Sequence, residues 1–163
     1  MIWGLSTSTF TFIHVVISLI GIFTGFMVVG GMLAAKRLDA LTAIFLATTV
    51  ATSVTGFGFP IHKFGPPHIV GVISLVVLAI ALLARYALHL RGAWRWIYAV
   101  TAVLALYLNV FVGIVQAFQK VPALKALAPT QAEPPFVIAQ LAALVVFVLL
   151  AVFASVRFRP APH

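Results

Sequence analysis

Five uninterrupted apolar stretches restrict the fold of this chain more than any other feature of its sequence. A hydrocarbon core about 30 Å thick requires roughly 20 apolar residues per helix. The stretches are continuous rather than alternating, which favours helices over the strands of a barrel. We therefore predict an all-α membrane protein, a single bundle of five transmembrane helices near residues 10–34, 40–58, 68–90, 96–118 and 136–157.

The composition argues against a soluble protein. Hydrophobic residues make up 64% of the 163 residues and charged residues only 7%, too few to cover the surface of a soluble globule. No linker-like stretch divides residues 1–163, so we expect one domain. The chain has no cysteine, which excludes disulfides, thiolate metal sites and covalently attached haem. The net charge of +8 would suggest nucleic acid in a soluble protein. Here the basic residues lie between apolar stretches, so we expect no nucleic-acid partner.

The positions of the basic residues predict the orientation of the bundle. Cytoplasmic loops carry an excess of Lys and Arg. Three lysines lie at one end of the spans, at Lys63, Lys120 and Lys125. Seven basic residues lie at the other end: Lys36, Arg37, Arg85, Arg91, Arg95, Arg157 and Arg159. We predict that the N-terminus is outside and the C-terminus inside, with a bacterial inner (cytoplasmic) membrane as the location.

Small and hydroxyl residues in the first two spans are typical of helix packing. Gly21 and Gly25 form a G-x-x-x-G, which lets a second helix approach closely. Thr48, Thr52 and Thr55 share one stripe of the second span, and interhelical hydrogen bonds are their simplest explanation.

Polar residues from separate stretches are predicted to gather in the outer half of the bundle. His14 lies about 6 Å into the first span at the rise of an α-helix. His62 lies in an outer loop and His68 at the start of the third span. Four residues of the fourth span share one face at i, i+4, i+7 and i+11 spacing: Asn109, Gly113, Gln116 and Lys120.

This outer cluster is the candidate binding site. Ionisable residues within a membrane are functional-site candidates. We predict His14, His68, His62, Gln116 and Asn109 as cofactor-binding residues, with His14 and His68 as the metal ligands. Two imidazoles on different helices suit haem b or copper, and the same groups suit hydrogen bonds to a quinone. Three structural explanations stay open: a neutral His14 bonded to a hydroxyl of the second span, His68 as a helix start after Pro66 and Pro67, and His62 as a loop residue.

Three functions fit the sequence. The first is a haem-, metal- or quinone-binding subunit of a membrane redox system. The second is a non-enzymatic accessory or assembly subunit, and the third a small permease lined by the Asn109 to Gln116 stripe. The expected partners are membrane lipids and either further copies of the chain or a larger membrane complex. No motif identifies a catalytic residue. The loop at 119–135 is predicted to contain a short helix that either covers the polar cluster or only connects two spans.

Overall fold

The computed structural model describes residues 1–60 and 63–160, and this part of the chain is all helical. Five helices in it are long and apolar enough to cross a membrane. The elements are α1 (Thr7–Leu33), α2 (Asp39–Gly56), α3 (Pro66–Leu82), a π-helical segment (Leu83–Ala87), α4 (Trp94–Lys120), a short α5 (Pro122–Leu127) and α6 (Pro134–Arg157). The predicted helical bundle with five candidate spans is therefore confirmed.

Local chemistry explains where these helices begin. Ser6 caps α1, because its hydroxyl oxygen accepts a hydrogen bond from the Thr9 amide at 3.2 Å. A proline occupies the first turn of α3, α5 and α6, where its missing amide proton costs no hydrogen bond. The short helix predicted in the 119–135 loop is present as α5. It packs against α4 and has no buried residue.

Consecutive long helices are antiparallel neighbours. Helix α1 packs on α2, α2 on α3, α3 on α4, and α4 returns to α1, so these four form a ring. Helix α6 lies outside the ring against α4 and α1, and only Phe147 and Ala154 of this helix are buried. Two ends result, which we call the His14 end (starts of α1, α3 and α6, ends of α2 and α4) and the Arg85 end (the opposite ends).

The two halves of the bundle are packed differently. The buried apolar cluster runs through Val28 to Met32 of α1, Phe45 and Leu46 of α2, Val77 to Ala84 of α3 and its π segment, and Tyr98 to Leu106 of α4. All four stretches lie in the middle of the bundle or towards the Arg85 end. Towards the His14 end, the side chains that point between the four helices are mostly half-buried, so this half of the bundle is the more open one.

The G-x-x-x-G of α1 lies at close helix contacts, as predicted. A β-carbon added at Gly25 would lie 2.6 Å from Leu106 Cδ1 and 2.9 Å from Phe45 Cε1. One added at Gly21 would meet the polar atoms of Thr48, Thr49 and Asn109 at 3.2 to 3.3 Å. The absence of a side chain at these two positions lets α2 and α4 approach α1.

Candidate site at the His14 end

The His14 ring is bonded to the hydroxyl of Thr55 on the neighbouring helix. Nδ1 of His14 and Oγ1 of Thr55 are 2.7 Å apart. A hydrogen bond from His14 to a hydroxyl of the second span was left open in the sequence analysis, and this contact is such a bond. It joins the first turns of α1 to the last turn of α2, and it fixes the orientation of the imidazole.

The hydrogen bonds around Thr55 also determine which nitrogen of a neutral His14 carries the proton. Thr55 Oγ1 lies 2.7 Å from the Ala51 carbonyl oxygen, an acceptor that has no hydrogen to give. The single hydroxyl hydrogen is therefore committed to Ala51. The 2.7 Å contact with His14 then needs a hydrogen from the ring, so Nδ1–H donates and Nε2 keeps its lone pair. Nε2 makes no hydrogen bond with any residue of 1–60 or 63–160.

Aromatic rings enclose His14 on the side of the α2–α3 loop. Phe59 meets the imidazole edge-on, with the ring centroids 5.2 Å apart. Phe59 packs in turn on Phe10, and Phe10 on Trp3. A β-carbon at Gly58 would lie 2.8 Å from the Phe10 ring, so this glycine allows the aromatic layer to close over the end of α2.

His68 has the opposite proton arrangement from His14. It is the third residue of α3, and its Nδ1 accepts a hydrogen bond from the Gly65 amide at 3.1 Å. The lone pair of Nδ1 is thereby used, and the proton of the ring lies on Nε2. Phe64 stacks on the imidazole and Phe57 lies against it. The structure thus places His68 in the helix-start position that the sequence left open beside the ligand role.

These two proton arrangements bear on the metal ligands predicted from the sequence. A metal ion binds an imidazole through a lone pair, and His14 offers one on Nε2. His68 would have to give up its bond to Gly65, or lose its Nε2 proton, before it could do the same. No group of three or more His, Cys, Asp or Glu residues in the described chain is placed to hold a metal ion. Ligation of haem b or copper by this pair stays a prediction, and His62 lies outside the described residues.

The predicted polar face of α4 divides into two parts. Asn109 lies at the tight contact with α1, where its side-chain amide donates a long 3.5 Å hydrogen bond to the Ser18 carbonyl. Gln116 and Lys120, nearer the end of the helix, are exposed. Lys120 is the last residue of α4 and therefore lies at the His14 end of the bundle. Asn109 therefore takes part in the packing of α4 on α1, while Gln116 and Lys120 remain open at the His14 end, and cofactor binding by Asn109 and Gln116 stays a prediction.

The most deeply buried ion lies at the Arg85 end, where the sequence indicated no site. Arg85 is in the π segment, its side chain is 2% exposed, and its Nη2 is paired with the Asp39 carboxylate and also donates to the Arg37 carbonyl oxygen at 3.3 Å. The guanidinium lies over the Tyr98 ring, 5.2 Å from its centroid. Arg85 entered the sequence analysis only as one of the seven basic residues that predict the orientation, and the π segment, which is a common sign of a functional or strained position, was not predicted.

A cavity of about 150 Å³ lies between α4 and α6 around Tyr107 and Phe147. Its lining is apolar apart from the single tyrosine. It offers no histidine or charged group. The polar chemistry of the bundle therefore lies at its two ends.

Comparison of the chain with protein-family models, with curated proteins and with solved structures finds no match. The class of the protein is therefore assigned from its fold and from the site around His14. It is a polytopic helical protein with five candidate membrane spans and an oriented histidine in the open half of its bundle.

Proposed function

We propose that this protein binds the head group of a quinone-type lipid at His14, as a subunit of a membrane redox system. The observation that carries the proposal is the bond between His14 Nδ1 and Thr55, which holds the imidazole in one orientation and leaves Nε2 for a ligand. An oriented acceptor of this kind in an apolar setting is what a small polar head group requires for specific binding.

The surroundings of His14 favour a ligand that arrives through the lipid. Phe12, Ile13, Val15 and Val16 flank the histidine on α1, and all four are exposed on the surface of the helix bundle. Exposed apolar side chains on a membrane span face hydrocarbon, so an amphiphile can reach the ring sideways. On the α4 side, Lys120 offers an ammonium donor at the same end of the bundle.

A quinone fits these groups better than the two metal cofactors. The quinol form of such a ligand needs only hydrogen-bonding partners for its two hydroxyl groups: Nε2 of His14 can accept from one, and the Lys120 ammonium can donate to the oxygen of the other. Haem b held by His14 and His68 would require His68 to leave the Gly65 amide, and copper would require further ligands near the ring.

The proposal includes an orientation and a location. The three lysines at the His14 end and the seven basic residues at the Arg85 end support a site in the outer leaflet of a bacterial cytoplasmic membrane.

Tryptophan fluorescence offers a direct test of binding. Trp3 is linked to His14 through Phe10 and Phe59, whereas Trp94 and Trp96 lie at the Arg85 end. In a Trp94→Phe/Trp96→Phe background, a decyl-substituted benzoquinol, kept reduced under argon, should quench Trp3 saturably in detergent micelles. Adding His14→Phe should weaken binding about tenfold, because one hydrogen bond is lost while Thr55 still donates to Ala51.

The matched control is His89→Asn. His89 is exposed at the Arg85 end with a φ of 52°, a conformation that asparagine also tolerates. This variant should bind the quinol like the parent protein. Quenching that does not saturate, or that His14→Phe leaves unchanged, would contradict the proposal. The chain would then be better described as an accessory or assembly subunit, or as a small permease.

A further inference from the structure

We infer that Thr55 makes the His14 site selective for the reduced form of its ligand, a quinol with hydroxyl groups, over the oxidised quinone. The inference rests on the proposed function, because it concerns which redox form the same site prefers. Its basis is the pair of contacts that Thr55 makes with the Ala51 carbonyl and with His14 Nδ1, both at 2.7 Å.

The first step is that Thr55 has one hydroxyl hydrogen and three partners: the carbonyl oxygens of Ala51 at 2.7 Å and Thr52 at 3.2 Å, and Nδ1 of His14 at 2.7 Å. The carbonyl of Ala51 cannot donate, so it must receive the hydroxyl hydrogen of Thr55. The remaining lone pairs of Oγ1 can only accept. A neutral His14 is therefore held with its proton on Nδ1, and reversing this tautomer would bring two acceptors to 2.7 Å from each other.

The second step concerns the other nitrogen. Nε2 of the neutral ring is then an acceptor and cannot donate. The hydroxyl of a quinol donates a hydrogen bond to it. The carbonyl oxygen of the corresponding quinone brings a second lone pair to the same position and makes no bond, so the oxidised form binds without this contact.

The third step is that Lys120, the donor proposed for the other ligand oxygen, does not discriminate in the same way. Its ammonium donates, and both a quinol oxygen and a quinone carbonyl oxygen accept from it. The difference between the two redox forms therefore arises at Nε2. Thr55 acts as a specificity-determining residue through the histidine, without touching the ligand.

The test measures the tautomer and the binding preference separately. The ¹⁵N resonances of His14 in protein labelled at histidine should report a proton on Nδ1 in the absence of ligand. Isothermal titration of the same protein in lipid nanodiscs with a decyl-substituted benzoquinone, and with that compound chemically reduced under argon, should show that the quinol binds about tenfold tighter.

Thr55→Val removes the hydroxyl and keeps the shape of the side chain. In this variant both tautomers of His14 should appear in the ¹⁵N spectrum, and the two redox forms should bind within about twofold of each other. The matched control is Thr52→Val, one turn earlier on the same helix. Thr52 bonds to the Thr48 carbonyl at 2.8 Å and not to His14, so the preference of this variant should stay about tenfold.

The outcomes separate the inference from the proposed function. Equal binding of quinol and quinone by the wild-type protein, with His14 still required, overturns the inference alone. So does a wild-type ¹⁵N spectrum with the proton on Nε2. Binding of neither form overturns the proposed function and the inference with it. A preference that survives Thr55→Val overturns the role assigned to Thr55.

Discussion

Arg85 places a guanidinium inside the bundle, where an ion without a counter-charge is costly. Its counter-charge is Asp39, whose side chain is 64% exposed and also accepts a 3.2 Å hydrogen bond from Arg37 Nε. One carboxylate therefore serves two cations, of which only Arg85 is buried. The two pairs should differ in their contribution to stability, although they share an oxygen atom.

We expect Asp39→Ala to lower the free energy of unfolding by about 2 to 3 kcal/mol, less than for a fully buried pair because Asp39 itself is exposed. The measurement is chemical unfolding in mixed micelles, made in the wild type and in an Arg85→Leu background. The loss should largely vanish in that background, since the cycle removes any effect of Asp39 on α2 alone. Arg37→Gln is the control and should cost less than about 1 kcal/mol. Similar losses for Arg37→Gln and Asp39→Ala would contradict the assignment.

The residues of the two histidine sites could be predicted in part from the sequence. A hydroxyl of the second span was one explanation left open for His14 beside the predicted ligand role, and Thr55 supplies that hydroxyl. His68 follows two prolines, so a helix start was a stated explanation. Nδ1 donates in His14 and accepts in His68, and this difference depends on the Ala51 carbonyl and the Gly65 amide. Nearly every residue has a backbone carbonyl and amide, so only the fold shows which of these groups lie close to each imidazole.

At the scale of helices, the close approach of α1 to its neighbours can be tested with two glycines of the same helix. Gly25 faces Leu106 and Phe45, whereas nothing lies within 4 Å of a β-carbon built at Gly30. Gly25→Leu should lower the unfolding free energy by about 1 to 3 kcal/mol, because the larger side chain separates packed helices. Gly30→Leu, the matched control, should unfold near the wild-type midpoint in detergent. An equal effect at both positions would remove the contact as its cause.

The turn before α6 has a pH dependence that follows from Glu133. Hydrogen bonds, first from the Thr130 hydroxyl at 2.7 Å and then from the Thr130 and Ala132 amides, hold the pKa of this carboxyl below its usual value. A lowered pKa means that the stabilisation is complete above the unfolded value of about 4.3 and is lost as the pH falls through the folded pKa.

Hydrogen exchange of peptides covering residues 128–133 should therefore accelerate, relative to Glu133→Gln, as the pH falls from about 6 to about 3. Glutamine keeps an acceptor oxygen and has no proton to gain, so this variant corrects for the intrinsic pH dependence of exchange. Parallel exchange profiles for the two proteins across this range would show that Glu133 does not order the turn.

Helix boundaries were predictable because their signals are local. The apolar stretches, Ser6 and the prolines each act within a few residues. The division of the α4 face was not predictable in the same way. Asn109 and Gln116 have similar side chains and share one stripe, but α1 covers the first and leaves the second exposed.

At the scale of the whole molecule, the number of spans was predictable and the packing between them was not. Hydropathy recognises a span because lipid and protein interior are both apolar. For the same reason it does not distinguish the exposed residues of α6 from the buried residues of α4. The close packing towards the Arg85 end and the open half around His14 therefore became visible only in the assembled bundle.

The orientation of the bundle can be tested in intact cells, because the chain has no cysteine of its own. Single cysteines replacing Lys63 or Lys125 should react with an impermeant thiol reagent, and a cysteine replacing Arg91 should react only after the membrane is permeabilised. All three positions are exposed on the protein, so a difference in labelling reports the side of the membrane. Labelling at position 91 alone would invert the proposed orientation.

The number of residues in the π-helical segment at the end of α3 determines the direction in which the Arg85 side chain points. The Leu88 amide bonds to the Leu83 carbonyl, five residues back, so this turn holds one residue more than an α-helical turn. Deleting Leu83, which precedes Arg85 in the segment, would move Arg85 one position back along the helix and rotate its side chain by about 100° around the helix axis. Arg85 would then turn away from Asp39, even though every charge in the pair was still present.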